Sequence, residues 1–160
     1  MSIRRHRLFF ILIFVHYTNN NDYSAAEASY KEALEIRREL AKKNRDAYLP
    51  DVATTLNNLG NLQSNNNDYS AAEASYKEAL EIRRESAKKN RDAYLPNVAT
   101  TLINLSIFYQ DNVPNKELSL KYAKEAVIVL GKCNNTPFVQ EALDKAKQVI
   151  EKWNNGSFKK

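Results

Sequence analysis

The chain has 160 residues, of which 24 are basic and 19 acidic, so its net charge is +5. Five of the basic residues stand in two short tails, at Arg4, Arg5 and Arg7 and at Lys159 and Lys160, which leaves a body with 19 residues of each sign. Because a nucleic-acid binder carries a basic face on its folded body, this distribution argues against nucleic acid as a partner. The length suits one domain with its own core, and the scarcity of glycine and proline favours long helices.

The residues that usually carry chemistry are few and scattered. Cys133 is the only cysteine, so neither an internal disulfide nor a thiolate metal site is possible. The two histidines, His6 and His16, stand near the start of the chain, and no His, Cys and Asp cluster has metal-ligand spacing. The three glycines are isolated, which excludes a phosphate-cradling loop. We therefore expect neither an enzyme nor a cofactor, and a cytoplasmic location by default.

The N-terminal segment, residues 1–18, places an apolar run after a basic start. That run is far shorter than the roughly 20 residues that span a bilayer, so a membrane partner is not expected from its length. Its register predicts the first helix of a degenerate repeat, since Phe10 lies one period before Leu56, although Phe14 stands where the later copy has Gly60. The alternatives are a signal peptide, a membrane-surface anchor, a truncated array and an apolar patch for homo-oligomer formation.

The most informative feature is a duplication with a period of 46 residues, because residues 23–68 and 69–114 are nearly identical. The segment Tyr23–Glu39 recurs letter for letter as Tyr69–Glu85. A fixed period of this size indicates stacked supersecondary units, and apolar spacings of three and four predict two helices in each unit. The sequence thus predicts an all-α solenoid of antiparallel helix pairs over residues 19–131.

Local signals suggest where these helices begin. The run Asn65–Asp68 reads as a turn, and Ser70 with Glu73 forms a plausible capping box for the helix that follows. Pro96 is expected to open the next helix, because proline suits a first helical position. The basic end of the long helix, with Arg37 and Arg38 interleaved with glutamates, is interpreted as a self-paired solvated face; a docking patch for an acidic partner is the alternative.

The end of the chain departs from the repeat. The second copy aligns with the following helices only if one residue is inserted near Asp111–Asn115. Thr136 and Pro137 then open a last amphipathic helix, with Phe138 in its apolar stripe. We predict that residues 132–160 form a capping helix and a basic tail, which closes the exposed end of an array.

The segment Leu56–Leu80 resembles the tetratricopeptide repeat. Its residues Leu56, Leu59, Gly60, Ala72, Tyr76 and Ala79 fall at the family's large, large, small, small, aromatic and small positions. The usual period of that family is shorter, and the extension is similar to the long repeats of the kinesin light chain type. Gln63 departs from the family pattern, which commonly has an aromatic residue there.

The resemblance implies a protein–protein interaction module that binds a peptide or partner protein in a concave groove, lined by the first helices of successive repeats. Carried onto this chain, the groove-facing positions are Thr54, Asn57, Asn58, Asn61, Asn65, Thr100, Ile103, Asn104, Ile107 and Asp111. Asparagine suits such a groove, since its amide offers both a donor and an acceptor to a peptide backbone. Ile103 and Ile107 could form an apolar pocket or instead contact the capping helix. The alternatives in function are a self-assembling structural repeat fragment and a membrane-surface-anchored scaffold.

Overall fold

A computed structural model describes the backbone of residues 3–156 and the side chains from residue 22 to residue 156. Within this range there are six α-helices and one π-helical turn. They are α1 (Ile3–Lys43), α2 (Arg45–Asn65), α3 (Tyr69–Lys89), α4 (Arg91–Ile107), the π turn (Phe108–Asn112), α5 (Lys116–Leu130) and α6 (Pro137–Asn154). The helices pack in sequential pairs from α1 to α6, and α6 also contacts α4. The predicted all-α architecture of stacked helix pairs is confirmed.

Short polar side chains determine where the helices begin. The side chains of Asn44 and Asn90 accept hydrogen bonds from the backbone three residues later, so α2 and α4 begin at Arg45 and Arg91. The expectation that Pro96 opens α4 is therefore wrong, because the cap at Asn90 starts the helix upstream and Pro96 lies inside it.

The start of α3 also differs from the capping box predicted at Ser70 and Glu73. Asp68 caps this helix instead, with its carboxylate accepting from Ala71 N at 3.2 Å. The helix before it ends in a turn in which Asn67 has a φ of 63°. Asparagine tolerates this left-handed conformation better than most residues, so the predicted turn at residues 65–68 forms as a sharp reversal.

The inserted residue in the second copy is absorbed by the π turn. There Val113 N donates to Phe108 O at 3.0 Å, a bond between residues five apart that widens the last turn of the helix. A π turn accommodates one extra residue inside an otherwise regular helix. The insertion therefore changes the shape of the end of α4 and leaves the following helix pair in register.

The core is built from small residues that alternate with large ones. Ala72, Ala79 and Ala99 are fully buried between helices, and Leu102 and Phe108 fill the space around them. One buried cluster extends from α3 to α6, and a second joins α1, α2 and α3. This close packing fixes the relative positions of α2 and α4, which carry most of the predicted groove.

At the C-terminal end, Thr136 caps α6 and Pro137 is its first residue, as predicted. The indole nitrogen of Trp153 donates to Ser119 Oγ at 2.7 Å, and Gln110 Nε2 donates to Val149 O at 3.0 Å. Phe138 does not share the buried stripe, because its side chain is 51% exposed at the start of the helix. These polar contacts hold α6 across the end of the array.

At the N-terminal end, the predicted degenerate-repeat helix of residues 1–18 has side chains outside the described part of the chain, so it stays a prediction. The basic tail at residues 157–160 also lies outside it. On the charged face of α1, Lys42 pairs with Glu39 at 2.5 Å and Arg38 pairs with Glu78 of α3 at 2.5 Å. This pairing agrees with the interpretation of a self-paired solvated face.

Candidate functional site

A surface cavity of about 330 Å³ lies between α2 and α4. Its walls come from α2, α4 and the π turn, and one residue of α3 reaches it from behind. The residues that line it are Asn61, Ser64, Asn65, Tyr76, Asn104, Ile107, Phe108 and Asn112. None of these side chains carries a charge at neutral pH, and most of them can form hydrogen bonds.

Gly60 allows Tyr76 to reach the cavity. A Cβ atom at Gly60 would lie only 2.8 Å from the ring of Tyr76, so a larger residue would push the ring away from α2. The ring itself is buried, but its hydroxyl donates to Asn61 Oδ1 at 2.7 Å at the cavity wall. Burial raises the pKa of Tyr76 to about 12, so this hydroxyl is a neutral donor at physiological pH.

Behind the cavity, a chain of hydrogen bonds begins at a buried cation. Arg83 is only 7% exposed, and its guanidinium donates to Asn97 O at 2.8 Å and to Thr101 Oγ1 at 2.6 Å. Thr101 in turn donates to Asn57 Oδ1 at 3.2 Å. Burial lowers the pKa of Arg83, but the side chain stays charged at neutral pH.

The first bond of this chain has a fixed direction because a guanidinium can only donate, and the hydroxyl of Thr101 then donates to Asn57. Thr101 accepts from Arg83 and donates onward, so Asn57 presents its oxygen rather than its amide nitrogen. That oxygen also accepts from Asn104 Nδ2 at 3.1 Å, and the same nitrogen lies 3.4 Å from Asn61 Oδ1. The cation on α3 thereby sets the orientation of the amides on α2 and α4.

The orientation leaves two amide atoms for a ligand. Asn104 uses its nitrogen for Asn57 and Asn61, which leaves its carbonyl oxygen as an acceptor. Asn61 uses its oxygen for Tyr76 and Asn104, which leaves its NH₂ group as a donor. The cavity therefore presents one donor and one acceptor from neighbouring helices, the pair that one residue of a peptide backbone requires.

The structure brings four of the ten predicted groove residues together in this cavity: Asn61, Asn65, Asn104 and Ile107. Thr54 and Asn58 are exposed on α2 outside the cavity, and Thr100 is half-buried and donates to Pro96 O at 3.0 Å. Asp111 is exposed and pairs with Lys152 of α6 at 2.7 Å.

Asn57 and Ile103 lie beneath the surface, each 5% exposed. Asn57 is occupied by the hydrogen bonds from Thr101 and Asn104, and Ile103 belongs to the large buried cluster. Their side chains support the cavity from behind and do not form its wall. Of the two isoleucines proposed to form an apolar pocket, only Ile107 therefore lines the cavity.

Four residues that line the cavity were not among the predicted groove positions: Ser64, Tyr76, Phe108 and Asn112. The resemblance placed Tyr76 at the aromatic position of the repeat, which agrees with the burial of its ring but does not predict that its hydroxyl reaches the cavity. Asn112 reaches the cavity through the π turn. The residue inserted in the second copy indicated that the backbone departs from the repeat near Asn112. It did not indicate that the side chain of Asn112 would point towards the cavity.

Two other cavities lie among charged or solvated surface residues. One, of about 350 Å³, lies among α1, α2 and α3 and is lined by the paired side chains of Arg38, Glu78, Arg45 and Glu85. Cys133 lines another, where burial and then Asp92 raise the pKa of its thiol, which disfavours the reactive thiolate. Within the described part of the chain, no group of three or more His, Cys, Asp and Glu side chains could hold a metal ion.

Comparison with known proteins supports the repeat assignment. Residues 15–85 match the family model of the tetratricopeptide repeat, and the six paired helices are consistent with an array of that repeat. A comparison with curated proteins gives no match. Of the helices described, none has the length and apolar character needed to cross a membrane.

Proposed function

We propose that this protein is an interaction module that binds an extended peptide or a segment of a partner protein in the cavity between α2 and α4. Tetratricopeptide repeats generally mediate protein–protein interactions, which supports this class of function for the matched residues. The period of 46 residues supports the long, kinesin light chain-like type of repeat. Residues 19–131 would then form the binding array and residues 132–160 its cap.

The observation that carries the proposal is the pair of free amide atoms on Asn61 and Asn104. They come from two helices that are cross-linked by the bonds of Asn57, so a ligand meets a site that is already ordered. A preorganised receptor loses little conformational entropy on binding, and the gain from each contact is therefore retained. A short segment held in this way would bind at about micromolar affinity.

Selection of random decapeptides displayed on phage against the full-length protein tests the proposal. The most enriched peptide would be synthesised with a fluorescent label, and its affinity measured by anisotropy. Asn104→Ala removes the free acceptor and should weaken binding about three- to tenfold, the value of one hydrogen bond. Asn58→Ala is the matched control, because Asn58 is exposed on α2 outside the cavity and its removal should leave the affinity unchanged. Equal affinities for the two variants would contradict the proposed site.

A second candidate function is self-association through the exposed face of α1, and one observation favours it. Ile36 is 55% exposed on α1, whereas the equivalent Ile82 of α3 is half-buried against the neighbouring helices. An apolar side chain that is covered in one copy of the repeat and uncovered in the other is a candidate contact between two copies of the protein.

Light scattering across a range of protein concentrations tests this second candidate. The proposal is supported if the average mass grows with protein concentration in the wild-type protein and in Ile128→Glu, but not in Ile36→Glu. Ile128 is a suitable control because it is 60% exposed on α5, far along the array. A constant monomer mass in all three proteins would rule it out.

A further inference from the structure

We propose that the cavity between α2 and α4 selects uncharged segments, in which a bulky apolar side chain enters the cavity and the adjoining backbone binds Asn61 and Asn104. This inference rests on the proposed function and adds the chemistry of the ligand. It follows from three properties of the cavity wall: its lack of charge, its single accessible apolar contact and the fixed orientation of its amides.

The wall offers no counter-charge to an ionic ligand. All eight lining residues are neutral, and Tyr76 stays protonated far above physiological pH because burial raises its pKa. Among the ten predicted groove positions the one carboxylate, on Asp111, is already paired with Lys152 at 2.7 Å. A lysine or glutamate side chain that entered the cavity would lose hydration without gaining an ion pair, which is a large cost.

Ile107 defines the apolar part of the cavity. It is half-buried, with Phe108 1% exposed beside it, so an entering side chain would contact Ile107 and cover the edge of a packed aromatic cluster. In that cluster the ring of Phe108 meets those of Tyr69, Tyr76 and Tyr109 edge to face. This rigid floor favours a bulky apolar group, because burying apolar area contributes roughly 25 cal/mol per Å².

The hydrogen-bonded chain from Arg83 prevents the amides from adapting to a charged ligand. An asparagine in solution can rotate to offer either its oxygen or its NH₂ group, but the two free atoms here are fixed by Thr101, Asn57 and Tyr76. The cavity wall thus offers one acceptor, from Asn104, and one donor, from Asn61. A carboxylate is repelled by the free oxygen, and an ammonium group is repelled by the free NH₂ group. A peptide unit satisfies both atoms at once.

Three synthetic nonapeptide libraries test the inference. All have uncharged flanking residues, and the central residue is Leu or Phe in the first, Asp or Glu in the second and Lys or Arg in the third. Peptides retained on the immobilised full-length protein are quantified by mass spectrometry. We expect the apolar library to be retained about tenfold more than either charged library, with little change between about 0.05 and 0.5 M salt, because no ion pair is formed.

A single substitution should reverse the preference. Ile107→Lys places a cation in the cavity, so the acidic library should become the one retained most. Thr54→Lys adds the same charge on α2 outside the cavity and should leave the apolar preference in place. The melting temperature of each variant shows whether the fold is kept.

The outcomes separate the two proposals. Preferential retention of a charged library by the unmodified protein would overturn the uncharged ligand class while leaving peptide binding intact. An apolar preference that persists in Ile107→Lys would also overturn it, since the side chain would then bind elsewhere. Retention of none of the libraries would contradict both the ligand class and the proposed function.

Discussion

The two copies of the repeat differ in burial at positions where their sequences are identical. Tyr76 is 3% exposed and Tyr30 is half-buried; Ile82 is half-buried and Ile36 is 55% exposed. The reason is position in the array, since α3 packs between α2 and α4, whereas the equivalent part of α1 packs on α2. In a stacked array, each residue is stabilised by its neighbours as much as by its own repeat.

The hydrogen bonds of Thr55 and Thr101, which occupy equivalent positions in the two copies, also differ. Each accepts a bond from the arginine one helix earlier, Arg37 or Arg83. Thr55 then donates to Asp51 O within its own helix at 2.9 Å, whereas Thr101 donates to Asn57 on α2. We call the bonds that run from Arg83 through Thr101 and Asn57 to Asn104 the amide relay. Only the second copy has an asparagine in the preceding repeat unit to receive the bond from its threonine, so the described residues contain one such relay and not two.

Truncating the repeated tyrosine should give the largest difference between the copies. Tyr76→Ala removes a buried ring that packs against Gly60 and Phe108, and we expect it to lower the free energy of unfolding by about 3–5 kcal/mol. Tyr30→Ala removes a half-buried ring and should cost about 1 kcal/mol. Urea unfolding followed by circular dichroism measures both values. Equal losses would mean that position in the array does not control the packing of this residue.

The loss of stability at alkaline pH should also reflect the burial of Tyr76. Burial raises the pKa of Tyr76 to about 12, so the unfolded chain releases this proton at lower pH than the folded protein. The stability from the protonated phenol is present below about pH 10 and is lost as the pH rises through 12, a fall of about 2–3 kcal/mol.

The melting temperature measured between about pH 9 and pH 12 should therefore drop less steeply in Tyr76→Phe than in the wild-type protein. Burial and then Glu73 also raise the pKa of Tyr109, so part of the fall should remain in this variant. An identical pH profile for the two proteins would show that the Tyr76 hydroxyl is not buried in the folded state.

Removing one hydroxyl from each copy tests the amide relay. Thr101→Val removes one hydrogen bond from Arg83, which keeps Asn97 O, and one from Asn57, which keeps Asn104 Nδ2. Both bonds are lost in a buried region, so the substitution should cost about 1–2 kcal/mol. Thr55→Val should cost about 0.5–1 kcal/mol, because Arg37, which loses its bond to the hydroxyl, is only half-buried, and the hydroxyl donates within its own helix. Thermal melts of the two variants compare their losses of stability. A larger loss for Thr55→Val than for Thr101→Val would contradict the prediction.

The exposed ion pairs should show no difference between the copies. Arg38 pairs with Glu78 and Arg84 with Glu125, with almost equal exposure of the two arginines at 45% and 46%. Either substitution to alanine should cost less than about 1 kcal/mol, and less still at high salt. A double-mutant cycle on each pair measures the coupling. A strong coupling in one pair alone would reveal an asymmetry that burial does not explain.

The sequence predicted the repeat, the helix pairs and the cap at Thr136, because these depend on apolar spacing and on residues close in the chain. It misplaced the start of α4, since the asparagine cap at residue 90 outweighed the signal of Pro96. It did not predict that Asn57 would be buried while Asn61 lines the cavity. The spacing of residues on a helical face shows which side chains point towards the neighbouring helix, but not how close the two helices come. The burial of Ile103 depends on the same packing and was equally hidden.

The most direct test of the account is a titration of the selected peptide into isotopically labelled protein, followed by NMR. The account predicts the largest shifts at the side-chain amide of Asn61, the backbone of Asn104 and the methyl groups of Ile107, with little change at Asn58. Shifts concentrated on the charged face of α1 and α3, around Arg38 and Glu78, would contradict the assignment of binding to the cavity between α2 and α4.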